Sequence, residues 1–218
     1  MRILPLLLSS AAPDPWLPFP AVELAWTGAL HPDWTRLRPS PPQVHALHLP
    51  EQPWGSAVGE AALAALHPPL GADFLVLRAG APAGLAGAAA FLSVLEGLLE
   101  ATQGTGLKLA LRPAPGAAHG LAERLREARG AAVGFCWDAG VGVDLDCISD
   151  RLFCAVGRSG DDFRPIQRLG YRWNLAVPAL DPASFRAEME DIARAFPPVL
   201  FPAAPETADG DPGPEERP

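Results

Sequence analysis

Short apolar runs, each closed off by proline or glycine, recur along the whole chain. They are Ile3–Leu8, Ala21–Trp26, Val44–His48, Phe74–Arg78, Leu107–Arg112, Val133–Asp138, Leu152–Val156 and Val199–Phe201. The runs are nearly continuous in hydrophobicity rather than alternating, the pattern of parallel strands covered on both faces. Helical patterns lie between them. Ala57–Leu66 and Ala86–Ala101 are rich in alanine and leucine and poor in breakers. His119–Arg129 spaces Leu121 and Leu125 one turn apart. Ser184–Phe196 follows the start signal Asp181-Pro182 and sets Phe185, Met189, Ile192 and Phe196 on one stripe.

Strands alternating with helices give parallel βαβ units. Eight strands in a chain of 218 residues predict an α/β fold, a small (β/α)8 TIM barrel with some helices short or missing. The barrel is expected to fill residues 1–205 as one domain, with an open doubly wound sheet as the alternative. Two connections are too short for a full crossover helix. Residues 9–20 hold four prolines, and residues 141–151 leave room for a turn or two. Residues 206–218 are acidic and turn-rich and read as a disordered tail.

Composition removes several function classes. The net charge of −8 argues against a nucleic-acid binder. No apolar run approaches the ~18 residues of a membrane span. Three cysteines without a Cys-x-x-Cys pair give neither a disulfide framework nor a zinc site. The apolar start, Ile3–Leu8, is shorter than a signal-peptide core and contains Pro5, so it reads as a strand, with a short cleaved signal as the alternative. With unpaired cysteines, this points to the cytoplasm.

Active sites of parallel barrels gather where the strands end. Four runs finish on polar residues there: His48, Arg78, Arg112 and Asp138. Glu23 lies inside an apolar run, where a charge needs a partner or an open mouth. Together they predict a shared polar pocket. Asp138 either serves that pocket or pairs with Arg112 as a structural ion pair. Gly157-Arg158-Ser159-Gly160, after the seventh run, is either a phosphate-binding loop or an ordinary turn. Trp16, Trp26, Trp34 and Trp54 either cover a helix-poor flank or line the mouth as a stacking surface. Cys136 reads as core packing, and no glycine pattern supports a nucleotide.

The order of these strand ends resembles the xylose-isomerase-like TIM barrels, the sugar phosphate isomerase/epimerase group. The resemblance rests on Val22-Glu23-Leu24, on His48-Leu49-Pro50 against the family's His-x-Pro, and on Asp138-Ala139-Gly140 against its Asp-x-Gly-His. It implies a barrel that binds a small anionic sugar or hydroxy acid. Family members hold a divalent metal with carboxylates and histidines, which acts as a Lewis acid. Here Arg78 stands where the family has His, Arg112 where it has Glu, and Val141 where it has a second His. The expectation is therefore a degenerate site without metal or other cofactor. Asp138 would act as base and His48 as acid, with Arg78, Arg112, Glu23 and Arg158 binding substrate. The alternative is a non-catalytic barrel that keeps the fold as a binding or partner protein.

Overall fold

The computed structural model describes residues 1–35, 42–49, 70–80, 84–127, 133–141 and 145–195. Eight strands close a barrel in chain order. They are β1 (Arg2–Leu8), β2 (Ala21–Ala25), β3 (Gln43–His48), β4 (Phe74–Ala79), β5 (Lys108–Pro113), β6 (Val133–Asp138), β7 (Leu152–Val156) and β8 (Asn174–Pro178). Every neighbouring pair is parallel, and β8 closes on β1 with Leu6 opposite Pro178. The open-sheet alternative is thereby removed.

One strand differs from expectation. The eighth is Asn174–Pro178, not Val199–Phe201, which lies outside the described residues. Its apolar stretch is only Leu175-Ala176-Val177, between the polar Asn174 and a proline. Both faces are nonetheless buried, because it lies between β7 and β1.

Four helices follow strands among the described residues: α1 (Gly84–Thr102), α2 (Ala118–Glu127), α3 (Arg164–Arg168) and α4 (Pro182–Ala195). The expected helix Ala57–Leu66 lies outside the described residues. Asp181 caps α4, its Oδ1 accepting from the N–H groups of Ala183 and Ser184 at 2.9 Å each. The Ser184 N–H and hydroxyl hold this carboxyl below its usual range. In place of helices, short 3-10 turns follow β1 at Asp14–Trp16 and β6 at Ala139–Val141. The prolines of residues 9–20 remove the backbone donors a longer helix needs.

Aromatic side chains cover this helix-poor flank. Trp16, Phe19 and Phe185 of α4 pack with ring centroids 5.3–6.3 Å apart. Trp34 is buried, and its indole N–H donates to the Ala11 carbonyl at 2.9 Å. Trp16 and Trp34 are thus wall rather than stacking surface; Trp54 lies outside the described residues.

The core has two shells. Leu7, Leu24, Leu47, Leu75, Leu77, Leu109, Leu111 and Phe135 face outward toward Leu95, Leu121, Leu125, Phe185 and Ile192. Each such buried side chain contributes about 1.5–3 kcal/mol. A smaller inner cluster holds Leu6, Ala46, Val76, Ala110, Cys136, Cys154, Val156 and Ala176. Small residues inside and large ones outside suit a barrel of eight strands.

Gly134 on β6 is required by that tight packing. A Cβ there would lie 2.5 Å from the Arg151 carbonyl oxygen and 2.7 Å from the Phe153 ring. Gly134→Ala is expected to destabilise the fold by about 1–3 kcal/mol, read from the urea midpoint. An unchanged midpoint would show that the β6–β7 contact yields freely.

Candidate functional site at the barrel mouth

Side chains alternate along a strand, so the residue two beyond each inner-cluster residue also faces the axis, one level nearer the mouth. This places His48 above Ala46, Arg78 above Val76, Arg112 above Ala110 and Asp138 above Cys136. These residues stand on four consecutive strands. Arg78 and Arg112 are direct cross-strand neighbours.

Glu23 is positioned differently. It faces inward by the alternation of β2, between the outward Val22 and Leu24, and lies level with Leu6 on one side and, past the extra β3 residue His45, with Ala46 on the other. Its carboxylate is fully buried, inside an otherwise apolar layer, and its partner is His48, which is 4% exposed. The two meet at 2.6 Å between Glu23 Oε2 and His48 Nε2. Glu23 Oε1 and His48 Nδ1 are both buried and have no hydrogen-bond partner among the described residues. Unsatisfied buried polar atoms are costly, and one on each member of a bonded pair marks a place suited to a ligand or a water.

Asp138 is paired with Arg112. Its Oδ2 accepts from Arg112 Nε at 2.8 Å and Nη2 at 2.6 Å, while its Oδ1 accepts from the Gly140 N–H at 3.1 Å. The carboxylate is buried and the guanidinium half-buried at the mouth. Arg78 is also half-buried.

Arg158 stands apart from this group. It is exposed on the loop after β7, and the backbone donors around it already face carboxylates. The Arg158 N–H donates to Asp161 Oδ2 at 2.7 Å, and the Ser159 N–H to Glu188 Oε1 at 2.9 Å.

Beneath the mouth, Cys136 and Cys154 are register partners on β6 and β7, both buried. The hydrogen bond with Cys136, together with burial, raises the Cys154 thiol well above its usual range. Such a thiol stays protonated and is a packing group rather than a nucleophile. At the opposite end of the barrel a cavity of about 340 Å³ is bordered by Arg2, His45, Asp73 and Asn174. His45 Nδ1 and Asp73 Oδ2 form an ion pair there at 2.7 Å. Polar groups at this end of a parallel barrel serve stability.

The family resemblance implies a divalent cation, and the described residues do not fit one. Glu23 and His48 are engaged with each other, Asp138 with Arg112, and two guanidinium groups border the same space. Among the described residues no three His, Cys, Asp or Glu side chains are arranged to hold a metal ion.

Strand ends in the sequence pointed to His48, Arg78, Arg112 and Asp138, and the barrel brings them to one mouth. Sequence reading did not pair Glu23 with His48. It also passed over the apolar inner positions Leu8, Ala25, Val156 and Pro178, because only polar strand ends were sought.

No family model and no curated protein matches the chain. Solved structures do. A xylose isomerase domain protein from Planctomyces limnophilus aligns with a TM-score of 0.64 at 13% identity, over 89% of this chain and 94% of that one. The IOLI protein, solved with a bound zinc atom, aligns at 0.59 and 12% identity, over 88% of this chain and 95% of that one. The TTHB071 protein from Thermus thermophilus, soaked with ZnCl2, aligns at 0.59 and 20% identity, over 89% and 99%. This chain therefore has the fold of the xylose-isomerase-like TIM barrels.

Proposed function

We propose that the chain is a sugar phosphate isomerase/epimerase-like barrel whose mouth binds a small anionic sugar or hydroxy acid. The observation that carries this reading is the buried Glu23–His48 pair with an unsatisfied polar atom on each member. A substrate hydroxyl that displaces the groups covering the pair can donate its one hydrogen to Glu23 Oε1 or to the Nδ1 lone pair of His48. Arg112, and Arg78 beside it, supply fixed positive charge for a carboxylate, a phosphate or a developing enediolate oxygen.

The roles we assign differ from those the resemblance implies, with His48 rather than Asp138 as base. Asp138 makes three hydrogen bonds and directs the Arg112 guanidinium, so it is a positioning residue. His48 is the proton carrier. With its Nε2–H donated to Glu23, its Nδ1 lone pair takes a proton from a carbon next to a carbonyl, and the carboxylate stabilises the imidazolium that forms. Return of that proton to the adjacent carbon, as the carbonyl oxygen takes up the hydroxyl proton, gives isomerisation; epimerisation needs the planar intermediate to turn its other face to His48 before the proton returns. Arg158 would meet only the outer part of an extended ligand.

The test is a ligand-stabilisation screen. Phosphate, sugar phosphates and hydroxy acids at millimolar concentration should raise Tm, because each charge-assisted hydrogen bond contributes about 1.5–3 kcal/mol. Arg112→Ala should abolish that gain. Solvent deuterium should enter a bound ligand at the carbon next to its carbonyl, and His48→Gln should stop the exchange. No stabilisation by any of these anions overturns the reading. Stabilisation without exchange selects the second reading, a binding-only barrel, which the locked Asp138–Arg112 pair favours.

A further inference from the structure

The inner ring of the mouth divides into two halves. On β3 to β6 the last inward positions are His48, Arg78, Arg112 and Asp138. On β7, β8, β1 and β2 they are Val156, Pro178, Leu8 and Ala25. At this last inward position four consecutive strands carry polar or charged groups and the other four carry none, Glu23 of β2 lying one inward position deeper. Because the barrel closes in chain order, β8 and β1 stand across the axis from β4 and β5. An apolar wall thus faces the two arginines.

This wall is open to the mouth. Leu8 is 53% exposed although its position faces the axis, and Leu180, just beyond β8, is almost fully exposed. Among the described residues, the polar side chains of Ser9 and Asp181, next to Leu8 and Leu180, are already engaged. Ser9 Oγ donates to the Ala29 carbonyl at 2.6 Å and accepts the Thr27 N–H at 3.0 Å. Asp181 caps α4. Pro178 has no backbone N–H to offer. A hydroxyl set against this side would lose its water partner and gain none.

We propose that the ligand of this mouth is amphipathic: a hydroxy acid whose carboxylate meets the arginines and whose other end is an apolar chain or ring. A fully hydroxylated sugar acid of the same length is excluded by the wall. The proposal rests on the anion-binding reading above and specifies its substrate class. The acid's hydroxyl lies over the Glu23–His48 pair, and its tail covers Leu8 and Pro178.

Titration calorimetry with lactate, α-hydroxybutyrate, α-hydroxycaproate and gluconate tests it. All four carry one negative charge. Affinity should rise about fourfold for each methylene buried, and α-hydroxycaproate should bind at least tenfold tighter than gluconate. Leu8→Asn should bring the ratio between α-hydroxycaproate and lactate toward one. Leu8→Ala, which shortens the exposed side chain without adding a polar group, should lower the same ratio if Leu8→Asn fails to fold. Equal affinities across the series, or tighter binding of gluconate, overturn the amphipathic ligand and leave the anion site standing. A chain-length gain that survives both substitutions also overturns it. Binding of none of the four, with no stabilisation by phosphate, overturns the anion site itself.

Discussion

Replacing His48 by alanine is expected to lower the unfolding free energy by about 3–5 kcal/mol, the cost of leaving a buried charge without its partner. Glu23 is fully buried, level with Leu6 and Ala46, and its hydrogen bond to His48 is the one its carboxylate makes among the described residues. The desolvation cost of the carboxylate is offset through that contact. In a domain of this size the loss corresponds to a Tm lower by about 6–20 °C. Replacing both members by leucine should recover most of it, because a matched apolar pair removes the desolvation cost along with the attraction. The pattern to look for in urea unfolding is a damaging single substitution and a mild double one. A His48→Ala protein with the parent midpoint would show that the pair contributes nothing to the fold.

That asymmetry explains what the sequence could and could not reveal. His48, Arg78, Arg112 and Asp138 were legible because each closes an apolar run, and a parallel barrel gathers its strand ends at one mouth. The Glu23–His48 pair was not. Its members are 25 residues apart, and they meet because an extra residue on β3, His45, sets Ala46 opposite Glu23 and His48 one inward position beyond it. No turn residue in Gln43-Val44-His45-Ala46-Leu47-His48 signals that shift. The eighth strand was missed for a related reason. Leu175-Ala176-Val177 is short, and its burial comes from β7 and β1, its neighbours in space. The apolar half of the mouth was visible in principle, since Leu8, Val156 and Pro178 also end their strands. A search for chemistry at strand ends overlooks residues whose contribution is the lack of it.

Asp138→Asn is expected to tighten the binding of phosphate or a small carboxylate at the mouth by tenfold or more. Arg112 is now held by two hydrogen bonds to one oxygen of a buried carboxylate. An incoming anion competes for the same donors and is repelled by the same charge. A like charge about 6 Å away costs roughly 3 kcal/mol at an effective dielectric constant near 20. Asparagine removes the repulsion while its side-chain oxygen can still accept from the Gly140 N–H, so the loop after β6 should keep its shape. Arg112 is half-buried at the mouth and can reach water, so the asparagine protein should fold. Arg112→Ala would instead leave Asp138 buried with the Gly140 N–H as its remaining donor among the described residues, and should be the less stable of the two. If Asp138 only positions Arg112, the asparagine protein binds anions more tightly and exchanges substrate protons at a reduced rate, since the guanidinium is less well aimed. If Asp138 is instead the base, binding tightens in the same way and exchange stops altogether, while His48→Gln leaves exchange in place. Unchanged anion affinity in Asp138→Asn would mean that Arg112 does not contact the ligand, and the anion would then have to be sought at Arg78 alone.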